Sequence, residues 1–190
     1  TADRVILATG GKASPQFGSD GKGYEIAKSL GHEIIEPFPA LVQLKLKGKY
    51  FKRIAGIKFD GIVKAYAGDK LIREEEGEIL FTDYGISGPP ILQISRKVIE
   101  ELNKKSKTYL TIDMFPNHSN LKLYDILQDR FRRIDYKTIE EAMIGLINKK
   151  LIPVVLYEAG FDELNKLCGK LNKKEIYKII DILKEWKFEV

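Results

Sequence analysis

One cysteine, two histidines and one tryptophan among 190 residues remove several chemistries at the outset. Cys168 has no second cysteine to pair with, so an internal disulfide is excluded. With His32 and His118 it makes too small a soft-ligand set for zinc, and no metal is expected. Its apolar, helical-looking surroundings suit a small buried hydrophobe better than a nucleophile. No apolar run approaches the ~20 residues that span a bilayer, and no charged start leads into an apolar stretch as in a signal peptide. No membrane partner is therefore expected, and the cytoplasm is the expected compartment. Also missing are an initiator methionine, a strand upstream of Val5 and a G-x-G-x-x-G fingerprint, so the chain reads as the middle of a longer protein.

An excess of one charge sign is small. Lysine and arginine number 32 against 27 acidic residues, for a formal net charge of +5 and a pI near 9.1. Clustered cations are the footprint of phosphate binding, and Lys45, Lys47, Lys49, Lys52, Arg53, Lys58, Lys64, Lys70 and Arg73 crowd one region. They fall at strand and turn positions and face Asp60, Asp69, Glu74, Glu75 and Glu76. A solvated barrel face is the preferred reading, and a nucleic-acid surface is the alternative.

Against these absences stands Val5-Ile6-Leu7-Ala8-Thr9-Gly10-Gly11, an apolar run breaking into Thr-Gly-Gly. Continuous Val, Ile and Leu describe a strand buried on both faces, and open α/β sheets bind ligands beyond the carboxyl ends of such strands. After a turn-rich stretch, Tyr24 to Leu30 carries helical spacing closed by Gly31, and His32 to Ile35 begins another extended piece before Pro37 and Pro39. From Leu41 to about Phe81 the period becomes two. Val42, Leu44 and Leu46 alternate with polar residues, and glycines at 48, 56, 61, 68 and 77 punctuate short strands, as in an antiparallel barrel or a small sandwich. Glu78 to Thr82 and Tyr109 to Met114 read as strands, with a turn at Gly85 to Pro90 feeding a helix from Ile91 to Leu102.

Beyond Pro116 the pattern is helical. Leu123, Ile126, Leu127 and Phe131 share a face, Thr138-x-x-Glu141 is a capping box, and Asn172-x-x-Glu175 is a second helix start. The last helix is expected to bury Ile176, Ile179, Ile180, Leu183 and Trp186, and Lys187 to Val190 to begin a strand leaving for another domain. The fold class is α+β.

Two motifs invite chemistry. Gly18-Ser19-Asp20-Gly21-Lys22-Gly23 fails the Walker A spacing, yet a glycine loop entering a helix can present backbone N–H groups to a phosphate. Gly85-Ile86-Ser87-Gly88-Pro89 nearly matches a nucleophile elbow, but proline replaces the last glycine and no triad order is present. Ser87 is better read as a helix cap or a ligand contact.

Three blocks are similar to the HI0933-like (YhiN/BaiN) family of flavoproteins: Ala8-Thr9-Gly10-Gly11-Lys12 with Pro15 and Gly18; Leu30-Gly31-His32 with Pro37-x-Pro39-Ala40-Leu41-Val42; and Gly77 to Pro89. The resemblance implies a truncated Rossmann-like piece of an FAD domain at 1–38 and an antiparallel β-barrel insert with one helix at 39–115. A helical subdomain would follow at 116–186, and a strand returning to the FAD domain at 187–190. It implies FAD in the intact parent, held in part by Thr9, Gly10, Gly11, Pro15, Gly18, Gly21 and Gly23, and a flavin or substrate cleft near Tyr84, Gly85, Ser87 and Gly88. The chain departs from the family at Asp20-Gly21-Lys22-Gly23, where members carry Thr-Gly-Asp-Gly, so the acidic position is not carried over. The implied activity is an oxidoreductase acting on a small organic molecule with a nicotinamide nucleotide, silent in this fragment. No proton donor is identified, and Tyr84, Ser87 and His32 are candidates by chemistry alone.

Overall fold

The computed structural model describes residues 2–190. It divides at Pro39 into two units.

Residues 2–39 hold a short 3-10 turn, Pro15–Phe17, and helix α1, Lys22–Ser29. The helix starts at Gly21, whose φ of 92° places it in the left-handed region that glycine enters freely. It closes where the N–H of His32 reaches Ala27 O at 3.1 Å, so His32 serves the helix end through its backbone. The strand expected at Val5–Thr9 does not form, and Val5 and Ile6 are 84% and 91% exposed. Nor does the extended piece at His32 to Ile35 pair. A strand exists only against a neighbour that accepts and donates its backbone hydrogen bonds, and these residues contain none.

Residues 40–190 build a curled antiparallel half-barrel wrapped by helices. The strands are β1 Leu44–Lys45, β2 Lys58–Ala67, β3 Lys70–Thr82, β4 Gly85–Ser87, β5 Thr108–Asp113 and β6 Trp186–Glu189. Their order is β1-β4-β3-β2-β5-β6. β2 and β3 pair from Lys58↔Leu80 to Ala67↔Lys70 around a turn at Gly68, whose φ is 56°. The two outermost strands approach each other, since Lys47 N–H donates to Glu189 O at 2.9 Å and the two side chains form an ion pair.

Three readings of the sequence are corrected here. Gly77 does not break a strand; it pairs with Gly61 inside β3, and a Cβ there would lie 3.2 Å from Pro90, so its bareness admits the following helix. Gly85 to Ser87 is strand rather than turn, and the chain reverses at Asp83–Tyr84. Ser87 does not cap helix α3, Pro89–Asn103: Gly88 holds the N-cap with no side-chain bond, and the two prolines begin the first turn.

The C-terminal strand expected at Lys187 to Val190 forms from Trp186, and its partner is β5, with Leu110↔Phe188 and Ile112↔Trp186 in register. Alternation explains this placement. Trp186 and Phe188 point inward while Lys187 and Glu189 face solvent. The remaining helices are α2 Phe51–Ile54, α4 Asn120–Arg133, α5 Ile139–Ala142, α6 Leu151–Glu158 and α7 Lys173–Glu185. Both sequence signals for helix starts are observed as reciprocal capping boxes, Thr138 with Glu141 and Asn172 with Glu175. On α4, Leu123, Leu127 and Phe131 are buried and Ile126 is half-buried. Among the described residues no helix is long and apolar enough to cross a membrane.

One core joins sheet and helices. Val63, Ala65, Ile79, Phe81, Leu110 and Ile112 on the sheet's inner face meet Ile91, Ile94 and Val98 of α3, and the same cluster continues into α4, α6 and α7. Lys184 fastens α7 to the end of β5 through Asp113 Oδ2 at 2.5 Å and Phe115 O at 2.7 Å. Phe188→Ala should destabilise the chain by about 3–5 kcal/mol, the usual cost of emptying a buried aromatic site. Thr138→Ala should cost about 1 kcal/mol through the lost cap. Urea titration read by the sole tryptophan checks the ranking, and equal costs would contradict it.

Candidate functional site

In the first unit two segments fold against each other. Ser19 Oγ donates to Thr9 O at 2.7 Å. A Cβ on Gly10 would lie 2.7 Å from Ser19 Oγ, and one on Gly11 would lie 2.9 Å from the Tyr24 hydroxyl. Side chains at Gly21 and Gly23 would run into Lys12 and Thr9. Thr9, Gly10, Gly11, Gly21 and Gly23 are thus brought together because bare backbone lets the loops touch. Pro15 opens the 3-10 turn and Gly18 ends it, with nothing near the position of its missing Cβ.

The electrostatics of these loops suit an anion. The N–H groups of Gly10, Gly11 and Lys12 donate to no protein group among the described residues. Gly10 is left-handed at φ 71°, a geometry in which successive N–H groups can converge on one anion. Lys12 lies 5.7 Å from the Tyr24 ring centre. Asp20 accepts from Lys22 N–H at 3.1 Å and pairs with its ammonium at 2.9 Å, which holds the carboxyl below its ordinary range. Sequence reading missed Ser19, because a hydroxyl bound to a carbonyl ten residues away leaves no local pattern.

In the second unit Tyr84 is 43% exposed and its hydroxyl donates to Gln43 Oε1, a partner not singled out from sequence. Gly85 and Ser87 are buried, and a Cβ on Gly85 would sit 3.1 Å from Lys45 Cα. Gly88, at φ 107°, lies under the Glu78 carbonyl where a side chain would collide. Tyr84 is the member of this group open to solvent.

The cations crowded in sequence divide into paired and unpaired groups. Lys58 pairs with Glu78 at 2.8 Å, Lys64 with Glu74 at 3.2 Å and Arg73 with Glu75 at 2.5 Å, while Lys47 is held by Glu189. Lys45, Lys49, Lys52 and Arg53 are exposed and make no ion pair among the described residues.

Cys168 is 3% exposed, and burial pushes its thiol up to about 11, the direction of an inert rather than a nucleophilic cysteine. A thiol raised in the folded state supports folding fully below its unfolded value near 9.0, and that support is lost as pH rises towards 11. An aromatic disulfide reagent at pH 8 should leave Cys168 unmodified in the folded chain and titrate it after denaturation; prompt native reaction would contradict the burial.

Residues 38–190 match the family described as HI0933-like protein barrel and H2TH domain. The 3-dehydro-bile acid delta(4,6)-reductase of Clostridium scindens is 41% identical over 155 residues, covering 82% of this chain and 38% of that protein. A ribosomal RNA dihydrouridine synthase of Haemophilus influenzae is 27% identical over 186 residues, 97% of this chain and 43% of that protein. Its namesake in Escherichia coli is 32% identical over 190 residues, 98% and 44%. The chain therefore spans about two fifths of the length of the curated relatives it matches. With a curled antiparallel sheet closed by helices and a match over residues 38–190, the chain belongs to the HI0933-like family.

Proposed function

We propose that the chain is the insert-bearing part of an FAD-dependent oxidoreductase that adds hydrogen to a ring carbon–carbon double bond, with a nicotinamide nucleotide as reductant. One observation carries the reading: the relatives' names, a delta(4,6)-reductase and a dihydrouridine synthase, describe the same kind of step on different molecules. The substrate this supports is a flat unsaturated ring, either free as a small acid or held as a base in RNA.

Bound FAD supplies the hydride chemistry, and the protein binds and orients it. The loops fit a phosphate group. Gly10, Gly11 and Lys12 offer unengaged N–H donors, the Lys12 ammonium stands 4.0 Å from Glu36 while Asp20 takes that of Lys22, and Thr9 with Ser19 fixes the loop shape. These residues and Gly21 and Gly23 would hold the pyrophosphate. Of the three proton-bearing side chains named above, Ser87 is buried, whereas Tyr84 and His32 are exposed. No proton donor is assigned. Residues 2–39 carry too little enclosure to retain a cofactor alone, so the fragment is proposed to be inactive.

The test is the visible spectrum of the intact parent. Flavin bands released as FAD on denaturation support the proposal. Gly10→Val, which forces a β-branched residue to φ 71°, should lower FAD affinity about tenfold or more. A colourless protein that takes up no added FAD would overturn it.

A further inference from the structure

The segment from Gln43 to Gly56 carries the least balanced charge in the second unit: Lys45, Lys47, Lys49, Lys52 and Arg53 without an acidic residue among them. All five of these cations are exposed, and they lie within nine residues of one another along the chain. Leu44 and Leu46 are buried, so Lys45 and Lys47 take the outward alternate positions of β1 and its extension, and Lys49 is exposed in the bend that follows Gly48. Alternate residues of an extended chain repeat about every 6.7 Å. The next element, α2, buries Phe51 and Ile54 and turns Lys52 and Arg53 to solvent.

Elsewhere on the sheet the lysines are matched by cross-strand carboxylates, as Lys58 is by Glu78 and Lys64 by Glu74. Along this segment Glu189 engages Lys47, Asp83 lies in the adjoining turn, and Glu158 is close enough to Tyr50 to act on its hydroxyl, three carboxylates against five cations. A net positive stripe remains. Tyr84 lies beside it: its carbonyl accepts from Leu46 N–H at 3.1 Å, and Lys45 is paired with Gly85. A half-exposed aromatic ring next to a row of unpaired cations combines the two features that hold single-stranded nucleic acid, a charged track for the backbone and a platform for a base.

We infer that Lys45, Lys49, Lys52 and Arg53, with Tyr84 as stacking ring, form a docking stripe for the phosphodiester backbone of a single RNA strand. The inference rests on the proposed reading only in choosing the RNA-borne form of the substrate. Binding itself needs no flavin. The stripe assigns phosphate recognition to residues of the second unit.

The experiment is fluorescence anisotropy of a short labelled single-stranded RNA with the 190-residue chain over a series of salt concentrations. Four phosphate contacts predict a slope of log K against log salt near about −2.8, and the paired substitutions Lys45→Gln/Lys49→Gln and Lys52→Gln/Arg53→Gln should each flatten it by about 1.4. Tyr84→Ala should weaken binding about tenfold with the slope unchanged. Lys58→Gln, which removes a cation already matched by Glu78, should leave the slope as it was. Absence of binding at low salt, equal loss from Lys58→Gln, or tighter binding of the DNA of the same sequence would overturn the inference. A flavin-free parent that still binds RNA in this manner would overturn the flavin reading and leave the stripe standing.

Discussion

The second unit depends on a cluster of aromatic rings contributed by its two ends. Phe51 of α2 lies 6.3 Å from Phe81 of β3 and 6.0 Å from Phe188 of β6, ring centre to ring centre. Trp186 packs 4.8 Å from Phe188 and edge-on to Phe81 at 5.8 Å. Such rings contribute large apolar area and prefer tilted contacts of this kind. Because Trp186 and Phe188 are supplied by the last strand, the half-barrel acquires its inner face only when residues at opposite ends of the unit meet. The Lys47–Glu189 link lies over the same closure. Sheet, α3 and the C-terminal helices are in consequence parts of one core.

Charge is organised around that core in two ways. On the ladder of β2 and β3, positive and negative side chains face each other across the strands, which lends solubility and register and little net field. Beside the seam the cations have few partners. The buried face of the same segment is anchored by Leu44, Leu46, Phe51 and Ile54, so its charges are carried on a fixed surface. Function, on this account, is divided: bare glycine loops suited to a cofactor phosphate in residues 2–39, and a rigid charged barrel edge in residues 40–190.

Local chemistry was legible in the sequence and nonlocal pairing was not. The Thr138–Glu141 and Asn172–Glu175 boxes were readable because every partner lies within one helical turn. The turn between β2 and β3 was readable from Gly68, whereas Gly61 and Gly77, read as breaks between short strands, pair with each other inside the two strands. Glycine misled where it served packing: Gly77 makes room for Pro90 and Gly85 for the β1 backbone, and neither starts a turn. Trp186 looked like the end of a helix because nothing nearby in sequence reveals that β5 waits as its partner. The meeting of Thr9–Gly11 with Gly21–Gly23 was anticipated as a shared site, but the contacts that create it involve Ser19 and Lys12 across intervals that pattern alone does not resolve.

The central claim is that residues 40–190 fold as one cooperative unit around this aromatic cluster, whereas residues 2–39 lack a core of their own. Native-state hydrogen exchange of the whole chain tests it most directly. The account predicts that amides of β2, β3, β5, α3 and α7 share a single high opening free energy, with residues 2–39 exchanging far faster. Separate opening of the helices and the sheet, or protection of residues 2–39 equal to that of β2, would contradict it.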